Sequence, residues 1–154
     1  MEPGDLMRCA LHTAAGRVVK NPYLYSMKFR YARHTNNLNP IINFYTDVLG
    51  LSILGDFKGH DGYDGVFLGH TGADWHLEFT SAEEPASHTP DEDDLLVFYP
   101  ASKEEYNAIN ERFNANNIPP VTPKNPYWRI HGVSYTDPDG YGIIIVKPVD
   151  NPPV

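Results

Sequence analysis

The chain has 154 residues, which suits one compact domain or two small modules that share a core. Its 12 Lys and Arg residues against 20 Asp and Glu residues give a net charge of −8, which argues against nucleic-acid binding, and no apolar run approaches the roughly 20 residues needed to cross a membrane. The one cysteine, Cys9, excludes an internal disulfide and a cysteine-based zinc cluster, so a reducing, cytoplasmic compartment is expected.

The first half of the chain predicts one helix among four strands. Residues 1–26 show no sustained hydrophobic period and are predicted to form an irregular tail, so the first module is expected over residues 27–80. In this module Pro40 suits the first turn of a helix and Gly50 suits its end. The strands are predicted at residues 29–34, 51–57, 66–69 and 75–80.

The second half repeats this order after an acidic connector. Residues 81–94 are rich in Asp, Glu and Pro and are predicted to be a solvated linker. A second module is expected over residues 95–148, with a helix that begins at a capping box made by Ser102 and Glu105. Residues 149–154 are predicted to be a second tail. The strands of this module are predicted at residues 95–99, 118–121, 128–136 and 141–147, and two prolines restrict the second of them to a sheet edge.

Equivalent features of the two halves lie 65 or 66 residues apart in the sequence. Phe44 corresponds to Ile109 in the middle of each helix, and Glu78 corresponds to Ile144 in the last strand of each half. Because each half alone would leave one face of a four-stranded sheet exposed, we expect the halves to combine. The predicted fold is α+β: two βαβββ modules form a curved, incompletely closed mixed sheet with helices outside and a concave face for a small ligand.

Three segments of the chain carry a recognisable family pattern. They are residues 37–51 (NLNPIINFYTDVLGL), residues 75–80 (WHLEFT) and residues 137–141 (DPDGY). These segments resemble the first helix, fourth strand and last turn of the vicinal-oxygen-chelate superfamily, which includes glyoxalase I, bleomycin-resistance proteins, extradiol dioxygenases and fosfomycin-resistance enzymes. The resemblance implies paired βαβββ modules, a small-molecule ligand or substrate, and a homodimer.

The resemblance also implies a divalent metal held by side chains from the first and fourth strands of each half. The corresponding positions here are Arg30, Glu78, Leu95 and Ile144. Only Glu78 can offer a lone pair to a metal ion, because arginine is always protonated and the aliphatic side chains have no donor atoms. The usual metal site is therefore not predicted, and a divalent metal is disfavoured as a cofactor.

Arg30 and Glu78 suggest a different use for the same place in the fold. A guanidinium can occupy the space beside a carboxylate that a metal ion would otherwise fill, so we expect an Arg30–Glu78 pair that orients a polar or anionic ligand. A purely structural ion pair is the alternative. His76 lies on the same strand face as Glu78 and could act as an acid or base near neutral pH. Glu78 with one or two of the histidines His76, His34 and His131 could also form a non-standard metal site.

The candidate site residues form two groups, and no metal ligand is assigned. The candidate catalytic residues are Glu78 and His76. The sequence leaves two functions open: binding of a small organic molecule in the concave sheet without the usual metal, or a metal-dependent glyoxalase-like lyase or dioxygenase with non-standard ligands. The candidate ligand-binding residues are Arg30, His34, Tyr99, Trp128 and His131.

Overall fold

The computed structural model describes residues 27–149, so Cys9 and the tails predicted at residues 1–26 and 150–154 lie outside the described residues. The helix α1 of the first module (Leu38–Asn43) continues as π-helical turns over Phe44–Val48. Every helix in residues 27–149, in this module and in the next, is too short or too polar to span a lipid bilayer. The strands of this module are β1 (Phe29–His34), β2 (Ser52–His60), β3 (Tyr63–Gly69) and β4 (Trp75–Ser81).

Local side chains explain where the first helical segment begins and ends. The Asn37 side chain accepts a hydrogen bond from the backbone N–H of Asn39 and so caps the first turn. Gly50 has a φ of 94°, a left-handed conformation that glycine adopts without a steric penalty, and the chain turns there toward β2. The apolar face between these points is buried, as its helical spacing predicts; it comprises Ile41, Phe44, Tyr45, Val48 and Leu49.

The first sheet has the strand order β1–β4–β3–β2, in which β1 and β4 are parallel and the other pairs are antiparallel. The register places Arg30 opposite His76. Because successive side chains of a strand point to opposite faces, Leu77 and Phe79 enter the core and the neighbouring residues 76 and 78 face the other way. We define the side of this sheet that faces away from the core as the open face. It carries Arg30, His34, Phe57, Phe67, His76 and Glu78.

The second module forms a three-stranded sheet with the order β5–β7–β6. The Ser102 side chain accepts a hydrogen bond from the backbone N–H of Glu105, as the predicted capping box requires. The two sheets of mixed strands, with their helices, do not close into a barrel, which confirms the predicted fold class. The elements of this module are β5 (Leu95–Phe98), α2 (Lys103–Ala115), α3 (Pro126–His131), β6 (Gly132–Thr136) and β7 (Gly142–Val146).

Two of the strands predicted for the second module are wrong in part. At residues 118–121, only Val121 pairs, through an isolated antiparallel bridge to Ser134. The predicted strand at residues 128–136 begins only at Gly132, because the Asn125 side chain caps α3 and a proline occupies its first turn. Trp128 and His131 therefore lie on a helix, and within residues 27–149 this module has three regular strands instead of four.

Both modules contribute to one hydrophobic core. Phe44 packs edge-on against Phe113 of α2 with ring centroids 5.6 Å apart, and Phe113 stacks on Tyr135 of β6 at 3.7 Å. Arg112 of α2 donates hydrogen bonds to the backbone carbonyl oxygens of Val48 and Leu49. Each sheet therefore has one face on the shared core, and the opposite face is left for other contacts.

Candidate functional site

Arg30 lies on the open face and is held from three sides. Its Nε donates to Nε2 of His76 at 2.9 Å, and its Nη1 donates to Oε2 of Glu78 at 3.0 Å. The guanidinium carbon lies 5.0 Å from the centre of the Phe67 ring, which is a cation–π contact. The side chain of Arg30 is nevertheless 50% exposed, while that of Glu78 is 13% exposed. The guanidinium is therefore fixed in place and still accessible from solvent.

The contacts of Arg30 leave part of its hydrogen-bonding capacity unused. A guanidinium has five N–H groups, and the bonds to His76 and Glu78 use two of them. Two adjacent N–H groups match the spacing of the two oxygens of a carboxylate or phosphate. The arrangement can therefore hold a polar or anionic group that approaches from the solvent side.

Phe57 and Phe67 form an aromatic strip beside the guanidinium, and sequence reasoning missed both residues. Their ring centroids lie 5.8 Å apart, and Phe67 contacts His76 edge-on at 5.7 Å. The Phe57 ring packs over Gly65, where a Cβ atom would come within 2.3 Å of the ring. The signal for Phe67 was available, because Phe67 pairs with Glu78 in the antiparallel register and paired residues share a face.

His34 also lies on the open face, but both of its ring nitrogens have partners. Nδ1 lies 3.1 Å from Oγ1 of Thr80, and Nε2 lies 3.2 Å from the backbone oxygen of Glu84. The ring contacts Tyr63 edge-on at 5.8 Å. His34 therefore ties the acidic linker to the end of β1, and its role in ligand binding stays a prediction.

The other three predicted ligand-binding residues belong to the second module. Tyr99 follows β5 and is exposed. Trp128 and His131 lie on α3, where both contact the ring of Tyr127. In the part of the chain that the structure describes, no hydrogen bond or ring contact joins these three residues to Arg30. Their role in binding stays a prediction as well.

The four positions that the superfamily uses for a metal do not form a suitable donor set here. Leu95 and Ile144 are aliphatic, and Ile144 is fully buried. Arg30 is a cation that binds Glu78 and also occupies the Nε2 lone pair of His76. Among residues 27–149, no group of three or more His, Cys, Asp or Glu side chains is placed to hold a metal ion. These residues fit a guanidinium–carboxylate contact and do not fit a divalent ion.

A second polar cluster, which sequence reasoning missed, is buried between the modules. Arg33 of β1 and the Tyr45 hydroxyl both donate to Oδ2 of Asp137, and Oδ1 of Asp137 accepts the backbone N–H groups of Asp139 and Tyr141. Burial works against the charge of Arg33, but Tyr45 and Asp137 outweigh it and raise the pKa of Arg33. Burial and the charge of Asp137 raise the pKa of Tyr45 well above its usual value. The cluster thus fixes the last turn of the chain against β1.

One face of the second sheet borders a cavity. Residues 121–124 and residues 90–92 line a cavity of about 240 Å³ together with Leu95, Ser134 and Gly142 of the sheet. The open face of the first sheet differs from this face because it presents a guanidinium whose side chain is 50% exposed.

Both halves of the chain match models of one known family. Residues 29–80 match the YycE-like N-terminal domain, and residues 93–147 match the YycE-like C-terminal domain. The uncharacterised protein YycE of Bacillus subtilis strain 168 is 42% identical over 121 residues, which are 78% of this chain and 87% of that protein.

Solved structures agree with this assignment. The crystal structure of Bacillus subtilis YycE, a protein of unknown function considered a candidate glyoxalase/fosfomycin-resistance protein, has a TM-score of 0.71 at 40% identity over 81% of this chain and 93% of that chain. Two more distant structures share the fold. Trypanothione-dependent glyoxalase I of Leishmania major has a TM-score of 0.59 at 23% identity, over 77% of this chain and 84% of that chain. The antibiotic-binding protein TnmS3 of Streptomyces sp. CB03234 has a TM-score of 0.58 at 20% identity, over 80% of this chain and 97% of that chain. The chain belongs to the YycE-like family of the vicinal-oxygen-chelate superfamily.

Proposed function

We propose that the chain binds a small organic molecule on the open face of the first sheet and that Arg30 holds the polar end of that molecule. The observation that carries this proposal is a guanidinium held by His76, Glu78 and Phe67 while half of its side chain is exposed. Donors that are held in place before the ligand arrives lose little conformational entropy on binding. The aromatic strip supplies an apolar surface beside the guanidinium.

A purely structural role for the Arg30–Glu78 pair is the competing explanation. Exposed ion pairs contribute about 0–1 kcal/mol to stability, because water and salt weaken the attraction and ordering the side chains costs entropy. With the Arg30 side chain 50% exposed, the pair belongs close to this class. Ligand recognition therefore explains the three contacts of Arg30 better than a gain in stability does.

Two copies of the chain are proposed to associate through the first sheet. Several large apolar side chains of this sheet are exposed in the single chain, and a second copy would remove them from water. They are Phe29, Ile53, Leu54 and Tyr63.

Titration with sodium benzoate, followed by ¹⁵N–¹H NMR, tests the binding proposal. We expect benzoate to shift the resonances of β1 and β4. Arg30→Gln should weaken benzoate binding at least tenfold, because the charge-assisted hydrogen bonds are lost. Addition of EDTA should leave the affinity of the wild-type protein unchanged, because no metal takes part.

Arg129→Gln is the matched control, since it removes an exposed guanidinium from α3 and should leave benzoate affinity unchanged. Equal affinity in both variants, with a change only in the free energy of unfolding of Arg30→Gln, would assign Arg30 a structural role and contradict the proposal. Loss of binding in EDTA would instead support the metal-dependent alternative.

A further inference from the structure

The hydrogen bond between Arg30 and His76 determines which nitrogen of the imidazole carries a proton. A guanidinium stays protonated in proteins, so Nε of Arg30 is always a donor. Nε2 of His76, which lies 2.9 Å away, must therefore be the acceptor and carries no proton. In the neutral ring the proton then lies on Nδ1.

The partners of Arg30 differ in what they do to its charge. Glu78 carries the opposite charge and binds Nη1, whereas neutral His76 binds Nε and leaves the charge as it is. Phe67 covers one face of the guanidinium. Bonds to two different nitrogens, together with a ring against one face, fix the plane of the group, so its free N–H groups point in defined directions.

We propose that the open face recognises organic carboxylates and that His76 is a positioning residue for Arg30. This inference rests on the proposed function. The two oxygens of a carboxylate match two adjacent N–H groups of Arg30, and the organic part of the molecule lies against the aromatic strip. A neutral amide of the same shape offers only one acceptor oxygen, and an ammonium group has no acceptor for the N–H groups of Arg30.

The ligand class is tested by calorimetric titration with three probes of similar size: benzoate, benzamide and benzylammonium. Benzoate is expected to bind at least tenfold more tightly than benzamide, and benzylammonium is expected not to bind over the same concentration range. Equal affinity for benzoate and benzamide, or a preference for benzylammonium, overturns the carboxylate assignment.

The role of His76 is tested with two substitutions. His76→Gln keeps a neutral acceptor, because the side-chain amide oxygen can take the bond from Nε of Arg30, whereas His76→Leu removes the acceptor. We expect His76→Gln to stay within about threefold of the wild-type affinity for benzoate and His76→Leu to lose about tenfold. His70→Leu, at an exposed histidine in the turn between β3 and β4, is the control and should bind as the wild type does.

The ring nitrogens of His76 provide a second measurement that does not depend on any variant. Their ¹⁵N chemical shifts in the wild-type protein above neutral pH should show a proton on Nδ1. A proton on Nε2, or a loss in His76→Leu that His76→Gln shares, overturns the positioning role. Benzoate binding that depends on Arg30 but fails these tests leaves the proposed function intact, whereas absence of benzoate binding to the wild type removes both proposals.

Discussion

Arg30 and Arg33 show how two residues of one strand can enter opposite environments. They are three positions apart, so their side chains point to opposite faces of β1. The side chain of Arg30 is half exposed, whereas that of Arg33 is 5% exposed and pairs with Asp137 and, at 3.2 Å, with Asp139. A buried charge that loses its partner is costly, while an exposed pair contributes little. The two arginines are therefore expected to differ in their importance for stability.

Asp137→Asn should destabilise the protein strongly. Its carboxylate accepts hydrogen bonds from Arg33 and Tyr45, and the substitution leaves the Arg33 charge buried without its main partner. We expect a loss of about 3–5 kcal/mol in the free energy of unfolding, measured by urea denaturation. Glu78→Gln is the comparison and should lose about 1 kcal/mol or less. Similar losses in the two variants would contradict the greater importance of the buried cluster for stability.

The two arginine clusters also differ in how far sequence could predict them. Side chains alternate between the two faces along β1 and β4, so His76 and Glu78 share a face. Arg30 lies opposite His76 on the neighbouring strand and therefore shares that face too. The contact of Arg33 with Asp137 joins residues 104 positions apart, across two modules. Spacing within a strand carries no information about which distant turn packs on it, so this contact appears only in the folded structure.

At the level of elements, the segment from Pro126 to Thr136 changes from helix to strand at Gly132. The strand predicted from residue 128 is consistent with the alternation of Trp128 and Ile130 with polar neighbours. A helix of six residues has fewer than two turns, so its apolar period is too short to distinguish from alternation. The informative signal was the cap, Asn125 followed by Pro126.

Gly132→Ala should weaken this junction. A Cβ atom at Gly132 would lie 2.8 Å from Cγ2 of Ile144 and 3.0 Å from the backbone oxygen of Ile145, so β6 would have to move away from β7. We expect a loss of about 1–3 kcal/mol in the free energy of unfolding by urea denaturation. Gly55→Ala is a matched control, because its nearest contact is an ordinary 3.5 Å to Phe67. An equal effect at both glycines would rule out the close approach as the cause.

At the level of the whole molecule, the two halves have diverged although their fold repeats. The repeat offset and the helix pattern correctly predicted two sheets of mixed strands with helices, because both follow from the spacing of apolar residues. The cavity beside the second sheet was not predictable in the same way, since it is lined by residues 121–124 and residues 90–92, which have no regular period.

The proposed association through the first sheet predicts a dimer in solution. Multi-angle light scattering should give twice the mass of the chain, and Ile53→Glu should shift the protein to the monomer, because a charge would be buried in the interface. Ile130→Glu is the control, since Ile130 is also exposed but lies on α3 of the second module. A monomeric wild type, or dissociation only in Ile130→Glu, would contradict an interface on the first sheet.

Alternate residues of β1 and β4 lie in different surroundings, and this difference affects how the two strands can change in evolution. Arg33, Leu77 and Phe79 secure the interior, whereas the alternating neighbours on the same strands meet mainly one another and solvent. Under the proposed binding role, changes at those outward positions would alter ligand selectivity at little cost in stability, because no interior packing is disturbed. Single substitutions on the open face can therefore accumulate in evolution without compensating changes in the core.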